Sequence, residues 1–385
     1  MKYNFDKEVC RKGSNCSKWD SVNSDVIPLW IADMDFEVPK EVRENIEKRL
    51  QHEVFGYTFI GDSYYDAVTS WMKEIHDWNI KREWIKFVPG VVPGLSFLIA
   101  ALTNPDDEII VQTPVYHQFF NVIRNNGCKV IENQLINNDG YYTMNYEDLE
   151  AKINHNTKMI ILCSPHNPVG RVWTKEELRK VSDIALRNNV LVVCDEIHSD
   201  IVFGDNKHNV FSTISKEAEE NCVICTAPNK TFNIAGLKTA NFIIPNKDIR
   251  DKFDLFLEKV HITAPTIFGA IAQESVYNHG QEWYRELIKY LNDNIEFVVD
   301  FINTRIPKLK VVKPEGTYLL WVDFSAIKMD SEERNNRLIN EAGLVFNKGS
   351  VFGKCGENYE RINIATQRDI LKEAMNRLEK FVNNL

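Results

Sequence analysis

Short apolar runs separated by helix-period segments dominate residues 84–245. WIKFVP, DEIIVQ, MIILC, VLVVC, CVICT and NFIIP each read as a strand of about five residues. LSFLIAAL, after the first run, and residues near 175–187 carry a helical pattern. The runs are apolar at successive positions instead of alternating, as expected of strands covered on both faces. Strands interleaved with helices predict an α/β fold: a mostly parallel sheet sandwiched by helices.

After Pro265 the pattern changes. One long amphipathic region, about 268–304, leads into KLKVVKPEGTYLLWVDF, two strands joined at Pro314-Glu315-Gly316. A helix near 332–342, the strands LVFN and RINIA, and a terminal helix from Arg368 complete a smaller α+β domain. The first forty-odd residues are rich in turn formers. The expected organisation is an N-terminal arm (1–45) contributing to the small domain, a large domain (46–265), and a linking helix with the small C-terminal domain (266–385). HITAPT is the expected connection, and no internal repeat is visible.

Composition narrows the function. The chain of 385 residues has 46 basic and 55 acidic side chains, a net charge of −9. An acidic protein with no basic run is a poor match for nucleic acid or an anionic membrane. The first fifteen residues lack an apolar signal core, and residues 85–102 are interrupted by Lys86, two prolines and two glycines. The expectation is a soluble, cytoplasmic protein. Of the eight cysteines, Cys163 and Cys194 end apolar runs and read as buried thiols. Cys222 and Cys225 form a CxxC, but within a strand residues three apart face opposite ways, so no metal site is expected.

Five unusual segments each lie just past the end of a predicted strand: Gly90-Val91-Val92-Pro93-Gly94, Thr113-Pro114-Val115-Tyr116, Ser164-Pro165-His166-Asn167-Pro168, Asp195-Glu196-Ile197-His198 and Ala227-Pro228-Asn229-Lys230. Open parallel sheets bind ligands outside their carboxyl ends, so the five should converge on one pocket. The first segment reads either as an anion-binding helix start or as an ordinary tight turn. Lys230 lies in a stretch with neither helix nor strand periodicity, and its apolar followers would desolvate the amine and make it nucleophilic. Lys238 offers a second positive charge. Asp195, ending an apolar strand, is open to three readings: a functional carboxylate, a strand-end cap, or a metal ligand with Glu196, His198 and Asp200.

SPHNPVGRVW, CDEIHSDIVF and APNKTFNIAGLK together resemble the pyridoxal-phosphate enzymes of the aminotransferase fold, fold type I, over nearly the whole chain. RKGSNCSKWD, PLWIADMDF, FGYT and the His198-Ser199 pair resemble the cystathionine β-lyase (carbon–sulfur lyase) subgroup. The resemblance implies pyridoxal 5'-phosphate as cofactor and Lys230 as the Schiff-base lysine. Asp195 would pair with the pyridine nitrogen, Asn167 with the phenolic oxygen, and Tyr116 would stack on the ring. The phosphate would rest on the Val91 and Val92 amides with Lys238 beside it. Tyr57 would reach it from the neighbouring subunit of a homodimer with shared active sites. Arg361 would take the substrate α-carboxylate; His198 and Arg368 stay open between direct ligand contact and a structural role. The chain departs from many members in carrying Ala227 where they have Ser or Thr. The implied reaction is β-elimination from a sulfur-substituted amino acid, giving thiol, pyruvate and ammonia. The alternatives are an aminotransferase and a non-catalytic regulator on the same scaffold.

Overall fold

In the computed structural model, which describes residues 2–385, the apolar runs form one seven-stranded sheet. Its strands are β1 (Ile85–Val88), β2 (Glu108–Thr113), β3 (Lys129–Gln134), β4 (Thr157–Cys163), β5 (Leu191–Asp195), β6 (Cys222–Thr226) and β7 (Ala240–Ile243), ordered β1-β7-β6-β5-β4-β2-β3. β7 is antiparallel to both neighbours, and every other pair is parallel. β3 has no apolar run to reveal it, because it is an edge strand in which only Asn133 is buried.

Alternating side chains of the sheet enter two separate cores. Ile160, Val192 and Ile224 lie in one; Ile161, Val193 and Val223 lie in the other. Full burial of each such side chain contributes roughly 1.5–3 kcal/mol. Cys222 falls in the first core and Cys225 in the second, so the CxxC sulfurs sit on opposite faces. Among the described residues no His, Cys, Asp and Glu cluster is arranged to hold a metal ion.

The helices that matter for the site are α1 (Lys40–Leu50), α2 (Asp62–His76), α3 (Val91–Leu102), α4 (Lys175–Arg187), α5 (Asn229–Phe232), α6 (Ile267–His279), α7 (Gln281–Arg305), α8 (Ser331–Ala342) and α9 (Arg368–Asn383). Thr174 and Glu177 form a capping box that starts α4, the helix whose span the sequence pattern anticipates. The amphipathic stretch after residue 267 is two helices, not one. Gly280 divides them: a Cβ there would stand 2.4 Å from the Val276 carbonyl and 2.5 Å from the Phe232 ring. Among the described residues no helix is long and apolar enough to cross a membrane.

A second, antiparallel sheet carries β8 (Lys310–Val312), β9 (Leu319–Asp323), β10 (Asn347–Lys348) and β11 (Tyr359–Asn363) in the order β8-β9-β11-β10. LVFN is divided between two partners. Leu344–Val345 pairs in parallel with Ile27–Pro28 of the N-terminal segment, and Asn347–Lys348 enters the sheet. The segment is thereby stitched to the C-terminal unit, and Asp35 N donates to Ala365 O at 3.0 Å.

Candidate active site

A cavity of about 440 Å³ opens at the carboxyl ends of β1, β2, β4, β5 and β6. Each of the five segments contributes to its wall: Gly90 with Val91 and Val92, Tyr116, Asn167, Asp195, and Asn229 with Lys230. Further contributions arrive from outside the sheet: Arg361 from β11, Asn347 from β10, and Trp30, Ile31 and Ala32 from the N-terminal segment. The size suits a cofactor with a small substrate.

The two glycines of the first segment have different jobs. Gly90 precedes α3 with φ 153° and ψ 158°, a conformation that side chains rarely adopt. Gly94 serves packing instead, since its Cβ would lie 2.6 Å from the Phe242 ring and 2.8 Å from Val88. The amides of Val91 and Val92 open α3, where helix geometry leaves N–H groups without intrahelical partners and a partial positive charge. Lys238 borders the same cavity in a left-handed backbone conformation, φ 54°.

Asp195 ends β5 fully buried. Burial pushes its carboxyl up to about 7, against the Ile197 amide, which donates to it at 3.2 Å, and the positive charge of Lys230. Lys230 lies in α5, a single helical turn that the sequence pattern did not reveal because four residues cannot express a 3.6-residue period. Burial brings its amine down to about 8, helped by the Arg361 cation. The amine donates to Ala32 O at 2.6 Å.

Arg361 is buried, and burial lowers its guanidinium to about 10. It donates from Nη1 to Asn167 Oδ1 at 3.0 Å and from Nη2 to Trp30 O at 2.8 Å, while its buried Nε has no partner among the described residues. Its guanidinium lies 4.9 Å from the Phe352 ring centre, a cation–π contact, and among the described residues no carboxylate pairs with it. Tyr116 forms one wall, with its hydroxyl held above its ordinary pKa by burial. His198 also lines the cavity. Burial, then the charges of Lys230 and Arg361, hold its ring well below 6.5, so it is neutral.

The structure decides readings that the sequence left open. Metal ligation by Asp195, Glu196, His198 and Asp200 fails, because Glu196 and Asp200 are engaged by other partners. Glu196 meets His208 at 2.8 Å and the Phe211 amide at 2.9 Å. Asp200 meets His76 at 2.7 Å and the Thr231 hydroxyl at 2.6 Å. Arg368 lies elsewhere, donating to Asn294 Oδ1 and stacking over Phe297. Tyr57 is fully exposed and does not border this chain's own cavity. The sequence reading also missed His117, Asn347 and the wall made by Trp30, Ile31 and Ala32. A tryptophan inside a turn-rich arm was the available signal for the last of these.

A family model described as aminotransferase class I and II matches residues 24–378. The chain belongs to that family. Within it, the chain is 38% identical to cystathionine beta-lyase PatB of Bacillus subtilis, over 98% of this chain and 99% of PatB. Cystalysin from Treponema denticola, whose crystal structure contains pyridoxal 5'-phosphate, is 38% identical with a TM-score of 0.97 over 100% of both chains. A pyridoxal-phosphate-bound protein from Clostridium difficile 630, provisionally called an aminotransferase, is 43% identical with a TM-score of 0.97, over 99% of this chain and 100% of its own. The family's mixed sheet flanked by helices is the architecture described above.

Proposed function

We propose that the protein is a pyridoxal 5'-phosphate-dependent carbon–sulfur lyase that converts cystathionine or related S-substituted cysteines to a thiol, pyruvate and ammonia. One observation carries this reading: a buried carboxylate, a buried amine of lowered basicity and a buried guanidinium without a counter-ion line a single cavity. The relatives named as a cystathionine beta-lyase and cystalysin support the reaction class.

The residues present fit the cofactor. Asp195 is a buried carboxylate whose ionised form needs a cation, which a protonated pyridine nitrogen provides. Asn167 gives its Oδ1 to Arg361, which leaves Nδ2 to donate to the phenolic oxygen. The Val91 and Val92 amides with Lys238 suit a phosphate, and Asn229, whose buried Oδ1 has no partner among the described residues, lines the same cavity. Tyr116 would cover one face of the ring.

When bound, pyridoxal phosphate supplies an electron sink for the pair left as the substrate Cα–H bond breaks. Arg361 presents a planar fork to the α-carboxylate and so fixes which bonds face Lys230. Lys230 Nζ accepts the Cα proton. At a pKa of about 8 roughly a tenth of the amine is neutral at pH 7, against less than a thousandth at 10.5. His198 adds a neutral hydrogen-bonding ring without a competing charge. The Trp30, Ile31 and Ala32 wall limits the entry of water.

The same reading makes the working unit a homodimer. Tyr57 stands out of the fold among exposed Val54, Phe55 and Phe59, an apolar run that a second copy would cover. From there Tyr57 would complete the partner's phosphate site.

The test is protein loaded with pyridoxal phosphate and given cystathionine with no keto-acid acceptor. Thiol and pyruvate should appear in equal amounts. No release from several thioethers, together with pyridoxamine phosphate formed from an amino acid lacking a leaving group, would overturn the lyase reading in favour of an aminotransferase.

A further inference from the structure

The six residues from Asp195 to Asp200 contain three carboxylates, and only Asp195 borders the cavity. The other two are buried, and each is used as a clamp. Glu196 fastens the strand end, accepting from the Phe211 amide and meeting His208. Asp200 fastens a different element. Its Oδ2 accepts from the Thr231 hydroxyl at 2.6 Å, and its Oδ1 meets His76 Nε2 at 2.7 Å and Trp71 Nε1 at 3.3 Å. His76 and Trp71 belong to α2, so Asp200 is itself held against a long helix of the scaffold.

Thr231 directly follows Lys230 in α5, and α5 needs external support. Its Phe232 amide donates to Pro228 O at 2.9 Å, and Asn233 then ends it in a left-handed conformation. One turn closed by so few backbone bonds has little rigidity of its own. The Asn233 side chain ties its end to the Met34 and Phe36 backbone, Phe232 packs against Trp71 and Trp283, and the hydroxyl bond to Asp200 holds the residue next to Lys230. The short Asp195–Asp200 segment thus carries at one end the carboxylate that faces the cavity and at the other the acceptor that holds the lysine-bearing turn.

We propose that Asp200, acting through Thr231, is a positioning residue that sets the placement of Lys230 relative to Asp195. The proposal rests on the reading of Lys230 as the cofactor lysine. Neither Asp200 nor Thr231 lines the cavity; their effect is on the geometry between two groups that do. Sub-ångström placement of reacting groups matters at this scale, since a 1 Å error costs on the order of a hundredfold in rate.

Thr231→Val removes the donor while nearly keeping the shape, and Thr231→Ser restores the donor. Thr231→Ala repeats the deletion without a branched side chain. For holoenzyme normalised to bound cofactor, three quantities are read: kcat, KM and the visible circular dichroism of the cofactor, which reports its asymmetric setting. A general loss of stability lowers the folded fraction, which the normalisation removes. The expected result for the valine and alanine variants is a fall in kcat of about tenfold or more with KM nearly unchanged. The visible dichroism should be altered, and both properties should return in the serine variant. Wild-type kcat and dichroism in the valine and alanine variants, or a loss that serine does not restore, would overturn the proposal. Borohydride reduction with peptide mapping separates the two levels. A wild-type protein unlabelled at Lys230 removes the functional reading beneath it. A labelled wild type with unaltered Thr231 variants removes the positioning role alone.

Discussion

The Lys230 amine donates to the Ala32 carbonyl at 2.6 Å, joining residues 198 apart in the chain. The Tyr318 hydroxyl donates to the same oxygen at 3.0 Å, and Arg361 donates to the Trp30 carbonyl at 2.8 Å. The N-terminal segment therefore meets two of the cavity's cations, Lys230 and Arg361, through neutral backbone oxygens. Such oxygens orient the cations without cancelling their charge, so both keep their attraction for anionic ligands.

Lys230→Ala should abolish turnover and the visible cofactor–lysine absorbance while leaving the far-ultraviolet circular dichroism unchanged. In the cofactor-free protein the same amine carries a burial penalty. Its pKa is about 8 in the folded chain and near 10.5 when unfolded, so the penalty is complete below pH 8. It fades as pH rises from 8 to 10.5, a gain in stability of about 3 kcal/mol. Lys230→Met should be more stable than wild type at pH 7 and lack that rise; denaturant titrations at both ends of the window check it.

Asp195 gives the opposite signature at lower pH. Its folded carboxyl titrates at about 7 against 3.8 unfolded, so between pH 4 and 7 the unfolded chain ionises while the folded one keeps its proton. Cofactor-free protein should lose stability across that window, by about 4 kcal/mol, and level off above it. Asp195→Asn should flatten the slope. In the holoenzyme it should lower kcat by about 10²–10³, the scale on which a preorganised electrostatic partner acts.

Arg361→Ala should raise KM for amino-acid substrates by a factor corresponding to about 1.5–3 kcal/mol, with a smaller change for ligands lacking an α-carboxylate. Arg361→Lys should recover little of this, because an ammonium cannot offer two parallel donors. Steady-state kinetics with a carboxylate and its amide analogue make the comparison.

The two glycines around α3 should separate by phenotype. Gly94→Ala forces a methyl against Phe242 and Val88 and should cost roughly 1–3 kcal/mol of stability while the remaining fold still binds cofactor. Gly90→Ala meets only an ordinary contact with the Pro93 ring at 3.5 Å, but a strained backbone. It should cost on the order of 1–3 kcal/mol and weaken cofactor affinity more than Gly94→Ala does. Melting curves and cofactor titrations measure the two effects.

Shared sites are tested by mixing two inactive variants. Dimers reassembled from equal amounts of Lys230→Ala and Tyr57→Ala chains contain hybrids in which one site has both residues intact. Activity should return to about one quarter of wild type if the subunits exchange randomly. No recovery, with exchange verified, would remove Tyr57 from the partner's site.

Much of this architecture was written in the spacing of apolar residues. Doubly covered strands such as LVVC and VIC must be continuously apolar, and the segments beyond their carboxyl ends are forced to one edge of the sheet by parallel topology. That logic alone brings Gly90, Tyr116, Asn167, Asp195 and Lys230 to a common cavity. The edge strand Lys129–Gln134 and the single turn around Lys230 escaped it, since an exposed strand and a four-residue helix leave no periodic trace.

Other features were decided only by folding. Arg361 and the Trp30 carbonyl lie 331 residues apart, and no local pattern links them. The acidic run after Asp195 reads in sequence as a possible ligand set. The tertiary structure divides it, giving Asp195 to the cavity, Glu196 to His208 and Asp200 to Thr231. The reason is physical: side-chain type and strand period are properties of neighbouring residues. The low basicity of Lys230 and the unpaired charge of Arg361 come instead from burial and from groups that only the closed fold brings near.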